Sequence, residues 1–429
     1  MKSFSIPFGK EVQHIDLPED HILYDLHGNT AAVVTEEAAA VRKALRQPIE
    51  SKPLRDIVKA GDTVAIVVSD ITRLVHTEVM LPVLVAELNE AGVKDEQITV
   101  IVAQGTHRAH TPEEDAIVCG AEMTRRLRMV QHDCRNKDTL SYVGTTSFGN
   151  DVYINTEALQ ADKLILTGAV SFHPMAGYGG GRKAILPGIA GFDSIMTNHS
   201  LALAETPGGG CNPHCDTASL EDNPFHHDML EAAQMVHPDF LVNTVFTADG
   251  DLCDVVGGHW RKAWEKGCQD VLATGGVPIR EQADITIASA GGYPKDLNLY
   301  QGCKAYMNAV FATKPGGVMI LTLDCPDIKE PEIFTKWFFR SDLDQVEQEL
   351  RREFLMPGFV AFKTRCIIAS MKTCYVVTRP ENFDIIRQTG QIPAPDLQTA
   401  WNMARKEVPE HYTVTIMGHA AATFPVYTK

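Results

Sequence analysis

Three apolar runs, each closed by polar residues, constrain this chain more than any other feature. They are Asp62–Asp70 (DTVAIVVSD), Gln97–Gln104 and Asp162–Val170 (DKLILTGAV), all rich in valine, isoleucine or leucine. A strand with one wet face alternates apolar and polar residues; a nearly unbroken apolar run must be covered on both sides. Between the first two runs lies Glu78–Ala91, where Leu81, Leu84, Val85 and Leu88 share one helical face. Strand, helix, strand in succession predicts a parallel sheet with right-handed crossovers.

A chain of 429 residues exceeds the usual size of one hydrophobic core. After Gly275-Gly276-Val277-Pro278 the pattern restarts: strand Asp284–Ser289, helix from about Asp296 to Ala312, turn Pro315-Gly316-Gly317, strand Val318–Leu323. The expected fold is α/β, with two domains of mainly parallel sheet and the active site in the cleft between them. Residues 1–275 form the N-terminal domain and 276–410 the C-terminal domain that closes the cleft. Residues 411–429, with a short strand at Tyr412–Met417, read as a tail returning to the first domain. No repeat of solenoid period and no low-complexity segment is present.

The net charge of -16 argues against nucleic acid and anionic membranes as partners, while a local pair of cations can still serve a small anionic substrate. Met1–Lys10 has no long apolar run, and stretches such as Met80–Leu88 fall far short of the ~20 residues that span a bilayer. The chain is expected to be cytoplasmic. Ten cysteines, scattered from Cys119 to Cys374, suit a reducing compartment. Cys211-Asn-Pro-His214-Cys215 could be read as a metal site, but no second Cys/His pair follows, and a thiol-bearing loop is the expectation.

In open α/β sheets ligands bind at the carboxyl ends of the strands. Asp70 and Arg73 follow the first strand, His107 (in Gly105-Thr106-His107-Arg108) the second, His173 the third, and Gly291-Gly292-Tyr293-Pro294 a fourth. Straight after the third strand comes HPMAGYGGGRKAILPGIAGFDSIMTNH, His173 to His199. Gly177, Gly179, Gly180 and Gly181 precede an expected helix beginning near Arg182. Their backbone N–H groups would cradle a phosphate, unless the segment is merely a flexible turn. Neither a Walker motif nor a GxGxxG fingerprint fits. Lys183 would by default pair with phosphate or be solvated; among apolar neighbours it could also be desolvated, and so nucleophilic or covalently modified. His107 and His173, each closing a strand, suit acid/base work near neutral pH. His199 is a candidate ligand for nickel, zinc or copper, with the other ligands coming from elsewhere. Arg73 either pairs with Asp70 or grips a substrate carboxylate with its planar fork. Tyr300, Gln301 and Lys304 lie on the second domain's helix, where Gln301 and Lys304 share a face.

Taken together, Asp70/Arg73, the GTHR around His107, the His173–Lys183–His199 segment and Tyr300-Gln301-x-x-Lys304 resemble the lactate racemase catalytic subunit family, the nickel-pincer nucleotide 2-hydroxyacid racemases and epimerases. The resemblance covers about half the chain. It implies that Lys183 carries pyridinium-3,5-bisthiocarboxylic acid mononucleotide as a thioamide. Nickel is held by its sulfurs and ring carbon, with His199 completing the coordination. It further implies that hydride passes from C2 of a small anionic 2-hydroxy acid to this cofactor and back to the other face of a planar 2-keto acid. His107 and His173 alternate as base and acid. Arg73, Gln301 and Lys304 orient the substrate, while Asp70, Thr106, the four glycines and Tyr300 belong to the cofactor's surroundings. Cofactor-biosynthesis enzymes are then the expected partners. Leu74-Val75-His76 stands where many relatives have a proline after the arginine, which leaves the substrate's side chain open. Competing readings are oxidation without inversion, for which a second histidine is superfluous, and a non-catalytic cofactor-binding protein, which needs Lys183 and His199 but not Arg73, His107 and His173. An ordinary Schiff-base lysine enzyme gives no reason for His199.

Overall fold

The computed structural model describes residues 1–247 and 250–428. The chain divides into two compact units. The first comprises Ala31–Ala202 and His214–Ala273; the second comprises Met1–Thr30, Leu203–Pro213 and Thr274–Lys429. Among the described residues no helix is long and apolar enough to cross a membrane.

The first unit is built on a six-stranded sheet in the order Leu252–Gly258, Phe240–Phe246, Lys163–Val170, Val64–Ser69, Ile98–Ala103, Arg128–Gln131. All neighbours are parallel except the edge pair Phe240–Phe246 and Leu252–Gly258. Ile66, Val68, Val100 and Val102 pack against Leu81, Leu84 and Leu88 of the Thr77–Glu90 helix in a continuous core. Burying each such side chain contributes about 1.5–3 kcal/mol. Val67 and Ile101, on the opposite face, are equally buried, which is why these strands read as unbroken runs.

Strand order changes direction at the centre of this sheet. From Val64–Ser69 the chain moves outward through Ile98–Ala103 to Arg128–Gln131, then returns to the other side of Val64–Ser69 with Lys163–Val170. Loops leaving two adjacent strands in opposite directions open a crevice between their carboxyl ends, the place where doubly wound sheets hold ligands.

The second unit has an all-parallel six-stranded sheet in the order Ile392–Ala394, Thr373–Val377, Thr313–Thr322, Ala283–Ser289, Val414–Met417, Ile22–Asp25. Met319 and Leu321 face the Leu299–Ala312 and Met356–Ser370 helices, while Val318 and Ile320 face the Lys2–Phe8/Glu11–Leu17 hairpin and the Leu397–Ala404 helix. Three expectations are corrected here. The final stretch does not return to the first domain: Val414–Met417 pairs with Ala283–Ser289, and Phe424–Tyr427 with Gly276–Ile279. Residues 1–30 also belong to the second unit, because Ile22–Asp25 forms its sheet edge beside Val414–Met417. Pro315-Gly316-Gly317 is not a turn before a strand but lies within the Thr313–Thr322 strand, whose register against Ala283–Ser289 shifts there.

Candidate active site

The carboxyl ends of the two central strands of the first unit carry Asp70 and Arg73 on one side and Ser171–His173 on the other. Asp70 is buried. Its Oδ2 accepts a hydrogen bond from Nδ1 of His107 at 2.5 Å, and its Oδ1 accepts the Thr72 hydroxyl at 2.6 Å and the Thr72 amide at 3.2 Å. Burial alone would raise this carboxyl, but the bonds from His107 and Thr72 and the charges of His107 and Arg73 outweigh it and hold Asp70 below its ordinary value. No ion pair joins Asp70 to Arg73 among the described residues, so the local-pair reading of Arg73 fails: the carboxylate is committed to His107. The Arg73 side chain is exposed.

Because His107 donates through Nδ1, its neutral form carries the lone pair on Nε2. His173 is arranged the other way. Its Nδ1 accepts the amides of Met175 at 3.3 Å and Ala176 at 3.0 Å, so its neutral form carries the proton on Nε2. One histidine therefore presents a base and the other a donor. Burial, followed by the charges of Lys183, Arg73 and Arg182 and by His199, holds His173 well below the ordinary histidine value.

Phe225 gathers the remaining groups. It sits in the first turn of the Pro224–Val236 helix, which Asn223 caps by accepting the His226 amide at 3.0 Å. Nζ of Lys183 lies 5.8 Å from the Phe225 ring centre, the His199 ring meets it edge-on at 5.2 Å, and the His173 ring stacks at 6.4 Å. Nδ1 of His199 donates to the Ile195 carbonyl at 2.7 Å, so its neutral form carries the lone pair on Nε2. Burial and the Lys183 charge push His199 down to about 3, against the opposing effect of that carbonyl, so the imidazole is neutral across the physiological range. Burial, then Arg73 and Arg182, hold the Lys183 amine well below the ordinary lysine value. The charges acting on these three groups come chiefly from Arg73, Arg182 and Lys183, so a cationic spot exists in a chain whose net charge is -16.

The glycine segment departs from the expected phosphate cradle. The expected helix near Arg182 is a single 3-10 turn, Gly181–Ala184, too short to offer a helix dipole. The amides of Gly179 and Gly181 are already spent on the Ser171 carbonyl at 2.7 Å and Oδ1 of Asn243 at 2.9 Å. The glycines serve close packing instead. At Gly180 (φ +66°) a Cβ would lie 2.6 Å from the Ala169 carbonyl, and at Gly181 (φ +55°) 2.5 Å from the Trp264 ring. Gly177 is buried as well, and its carbonyl accepts the Ala218 amide at 3.0 Å. Thr106 lies exposed beside His107, and the Gly105 amide ties that loop to the Lys183 turn through the Gly188 carbonyl at 2.9 Å.

Sequence reasoning missed Arg182, Phe225 and His110. Arg182 is fully buried; its guanidinium stacks 3.9 Å from the Trp264 ring and donates to the carbonyls of Ala176 and Tyr178 and to Nδ1 of His226. His110 accepts the Ile71 amide at 2.8 Å and bonds Asp115 at 2.9 Å, fixing the turn that carries Asp70 and Arg73. Asn223-Pro224 was a legible helix start, and it would have drawn attention to Phe225. Cys211 and Cys215 fall in different units, and Cys215 donates weakly to the Leu201 carbonyl and Asn223, so the short cysteine cluster is not one site. Among the described residues no group of three or more His, Cys, Asp or Glu is placed to hold a metal ion.

Tyr300, Gln301 and Lys304 belong to the second unit. They lie on the Leu299–Ala312 helix, where Nζ of Lys304 donates to Oε1 of Gln301 at 3.4 Å and Tyr300 packs on Phe334 at 5.3 Å.

Known proteins resemble this chain along most of its length. Residues 8–209 match the family model described as the lactate racemase N-terminal domain, and residues 279–423 the lactate racemase C-terminal domain. A lactate racemase of Thermoanaerobacterium thermosaccharolyticum is 33% identical over 415 residues, 95% of each chain, and one of Lactiplantibacillus plantarum is 31% identical over 329 residues, 76% of each. The solved apoprotein of lactate racemase from Thermoanaerobacterium thermosaccharolyticum superposes with a TM-score of 0.86 at 30% identity over 100% of both chains. A crystal structure of a Thermotoga maritima protein, 17% identical, shares the fold over 94% of this chain and 100% of its own, with a TM-score of 0.62. Two domain models over most of the chain, and relatives above 30% identity along nearly its whole length, show that it belongs to the lactate racemase family.

Proposed function

We propose that this racemase inverts C2 of a small anionic 2-hydroxy acid, with a nickel-pincer nucleotide tethered to Lys183. The observation that carries the reading is the convergence of Lys183, His173 and His199 on Phe225, with Arg73 near enough to lower both His173 and Lys183.

These residues fit the proposed group. Burial, Arg73 and Arg182 hold the Lys183 amine well below the ordinary lysine value, which favours the unprotonated form that attacks an activated carboxyl or thiocarboxyl carbon. His199 offers a neutral imidazole nitrogen, a suitable ligand for nickel. When bound, the group supplies a hydride acceptor for C2 that can return the hydride to either face of the resulting 2-keto acid.

The chain's own residues do the rest. Arg73 pairs its guanidinium with the substrate carboxylate. His107 takes the 2-hydroxyl proton on Nε2, and the Asp70 carboxylate stabilises the imidazolium that forms. His173 donates Nε2–H to the carbonyl oxygen of the intermediate from its own side. Phe225 and the packed glycine turn hold these groups in place. By the family resemblance, Gln301 and Lys304 orient the substrate, while Tyr300, Thr106 and the glycines border the cofactor.

Intact-mass analysis tests the tether. Protein co-expressed with cofactor-making enzymes is expected to carry a nucleotide-sized adduct at Lys183, and protein made without them to be unmodified and inactive. Full activity with an unmodified Lys183 would overturn the reading.

A further inference from the structure

Beside the Phe225 cluster lies a carboxyl group that neither moves protons nor binds substrate. Asp228 sits one turn after Phe225 on the Pro224–Val236 helix and is fully buried. Its Oδ1 accepts the Thr146 hydroxyl at 2.6 Å, and its Oδ2 accepts the side-chain amides of Asn150 and Asn198, each at 2.9 Å. Thr146 and Asn150 lie in the turn between the Leu140–Thr145 and Asp151–Asn155 strands, and Asn198 lies on the Phe192–Ser200 helix. One side chain thus joins three elements that are distant in sequence. A buried carboxyl group is costly unless its oxygens are bonded, and three donors meet that need.

The network reaches His199 through its neighbour. The bond from Nδ1 of His199 to the Ile195 carbonyl lies within one helix, so it moves with that helix and does not fix where the helix stands against Phe225. Asn198 does fix it: its amide nitrogen donates both to Asp228 and to the Phe225 carbonyl, the latter at 3.1 Å. One turn earlier the Ser194 carbonyl accepts the Asn150 amide at 3.0 Å, and the Ser194 hydroxyl donates to the Asp151 carbonyl at 2.6 Å. Both asparagines are held in an orientation that is unfavourable by itself. Among the described residues neither of their buried amide oxygens has a hydrogen-bond partner. Turning either amide over would set its oxygen against the Asp228 carboxylate, so Asp228 dictates which way each one faces.

From these bonds we infer that Asp228 is a positioning residue for His199: it locks the helix that carries this imidazole to the helix that carries Phe225. The inference rests on the proposed role of His199 as nickel ligand. It requires Asp228 as a hydrogen-bond acceptor rather than as a charge. In Asp228→Asn the remaining oxygen can take the place of Oδ2 and accept both asparagines, while the new amide donates to the Thr146 hydroxyl oxygen. In Asp228→Ala no acceptor is left, and the Asn198 amide loses the partner that sets its direction.

Two readouts test it in full-length protein: nickel affinity of the loaded form, with the Lys183 adduct checked by intact mass, and the His199 imidazole signals of the unloaded form by NMR. Asp228→Ala is expected to keep the adduct, to bind nickel about 10- to 100-fold more weakly, and to split or broaden the His199 signals. Asp228→Asn should match wild type in both. Asn198→Ala, which leaves Asp228 bonded to Thr146 and Asn150, should behave as Asp228→Ala does, and it decides the matter if Asp228→Ala does not fold. Thr146→Val should lower the urea midpoint yet leave both readouts unchanged, since the bond to Asn198 is intact. Wild-type readouts in Asp228→Ala or Asn198→Ala, or an Asp228→Asn protein as impaired as Asp228→Ala, would overturn the inference. Full nickel retention in His199→Ala would instead remove His199 as the ligand, and the NMR comparison would still decide whether Asp228 positions its ring.

Discussion

His173 and Arg73 show how single residues set the chemistry. His173 is depressed first by burial and then by the Lys183 charge. Lys183→Met in unloaded protein is therefore expected to raise the His173 pKa, though not to the ordinary value, because burial persists. An NMR titration of the imidazole checks this, and an unchanged midpoint would separate the two side chains. Arg73 is exposed, and Asp70 is committed to His107 and Thr72. Arg73→Lys is expected to raise KM about 10- to 100-fold with the Lys183 adduct intact, as an ammonium cannot reproduce a bidentate bond worth ~1.5–3 kcal/mol. An unchanged KM would remove Arg73 from substrate binding.

At the scale of elements, the Gly177–Gly181 segment is a packing device. Gly181→Ala puts a Cβ 2.5 Å from Trp264 at φ +55° and is expected to destabilise the protein by about 1–3 kcal/mol. A lowered urea midpoint, partly restored by Trp264→Leu, checks this; no change would mean that the turn relaxes freely. Glycine content alone could not reveal this, because a glycine that frees an amide and one that admits a neighbouring ring look alike in sequence. Periodic elements were far more legible. Glu78–Ala91 was expected and Thr77–Glu90 is found; Asp162–Val170 was expected and Lys163–Val170 is found. Burial on both faces writes itself into an unbroken apolar run. The Ile22–Asp25 edge strand left no such mark, being only four half-buried residues whose partner lies almost four hundred positions on. Arg73, His107 and His173 were legible because they follow strand ends, and Lys183 and His199 because they share the segment that comes after the third strand. Phe225 was not, since an aromatic residue in a helix reads as core wherever it packs.

Across the whole molecule, several buried histidines are kept neutral. Burial, then Arg182, holds His226 down to about 2, and burial also lowers His132. Their unfolded value is about 6.5, so below that pH the unfolded chain binds more protons than the folded one and stability falls as pH drops. The urea midpoint is expected to be lower at about pH 5 than at about pH 7, with the difference reduced in His226→Asn, whose side-chain oxygen can still accept from Arg182. A flat profile would contradict the neutral assignment. The first unit holds His107, His173, Lys183 and His199, the residues proposed to move protons, tether the cofactor and ligate nickel, which suits the proposed inversion by removal and return of a hydride. That claim is tested most directly with a C2-deuterated, enantiopure 2-hydroxy acid incubated with loaded enzyme in ordinary water. Hydride transfer predicts that the opposite enantiomer forms with deuterium still at C2. Replacement of that deuterium by solvent hydrogen at the rate of inversion would contradict it, since a base would then be removing C2's hydrogen as a proton.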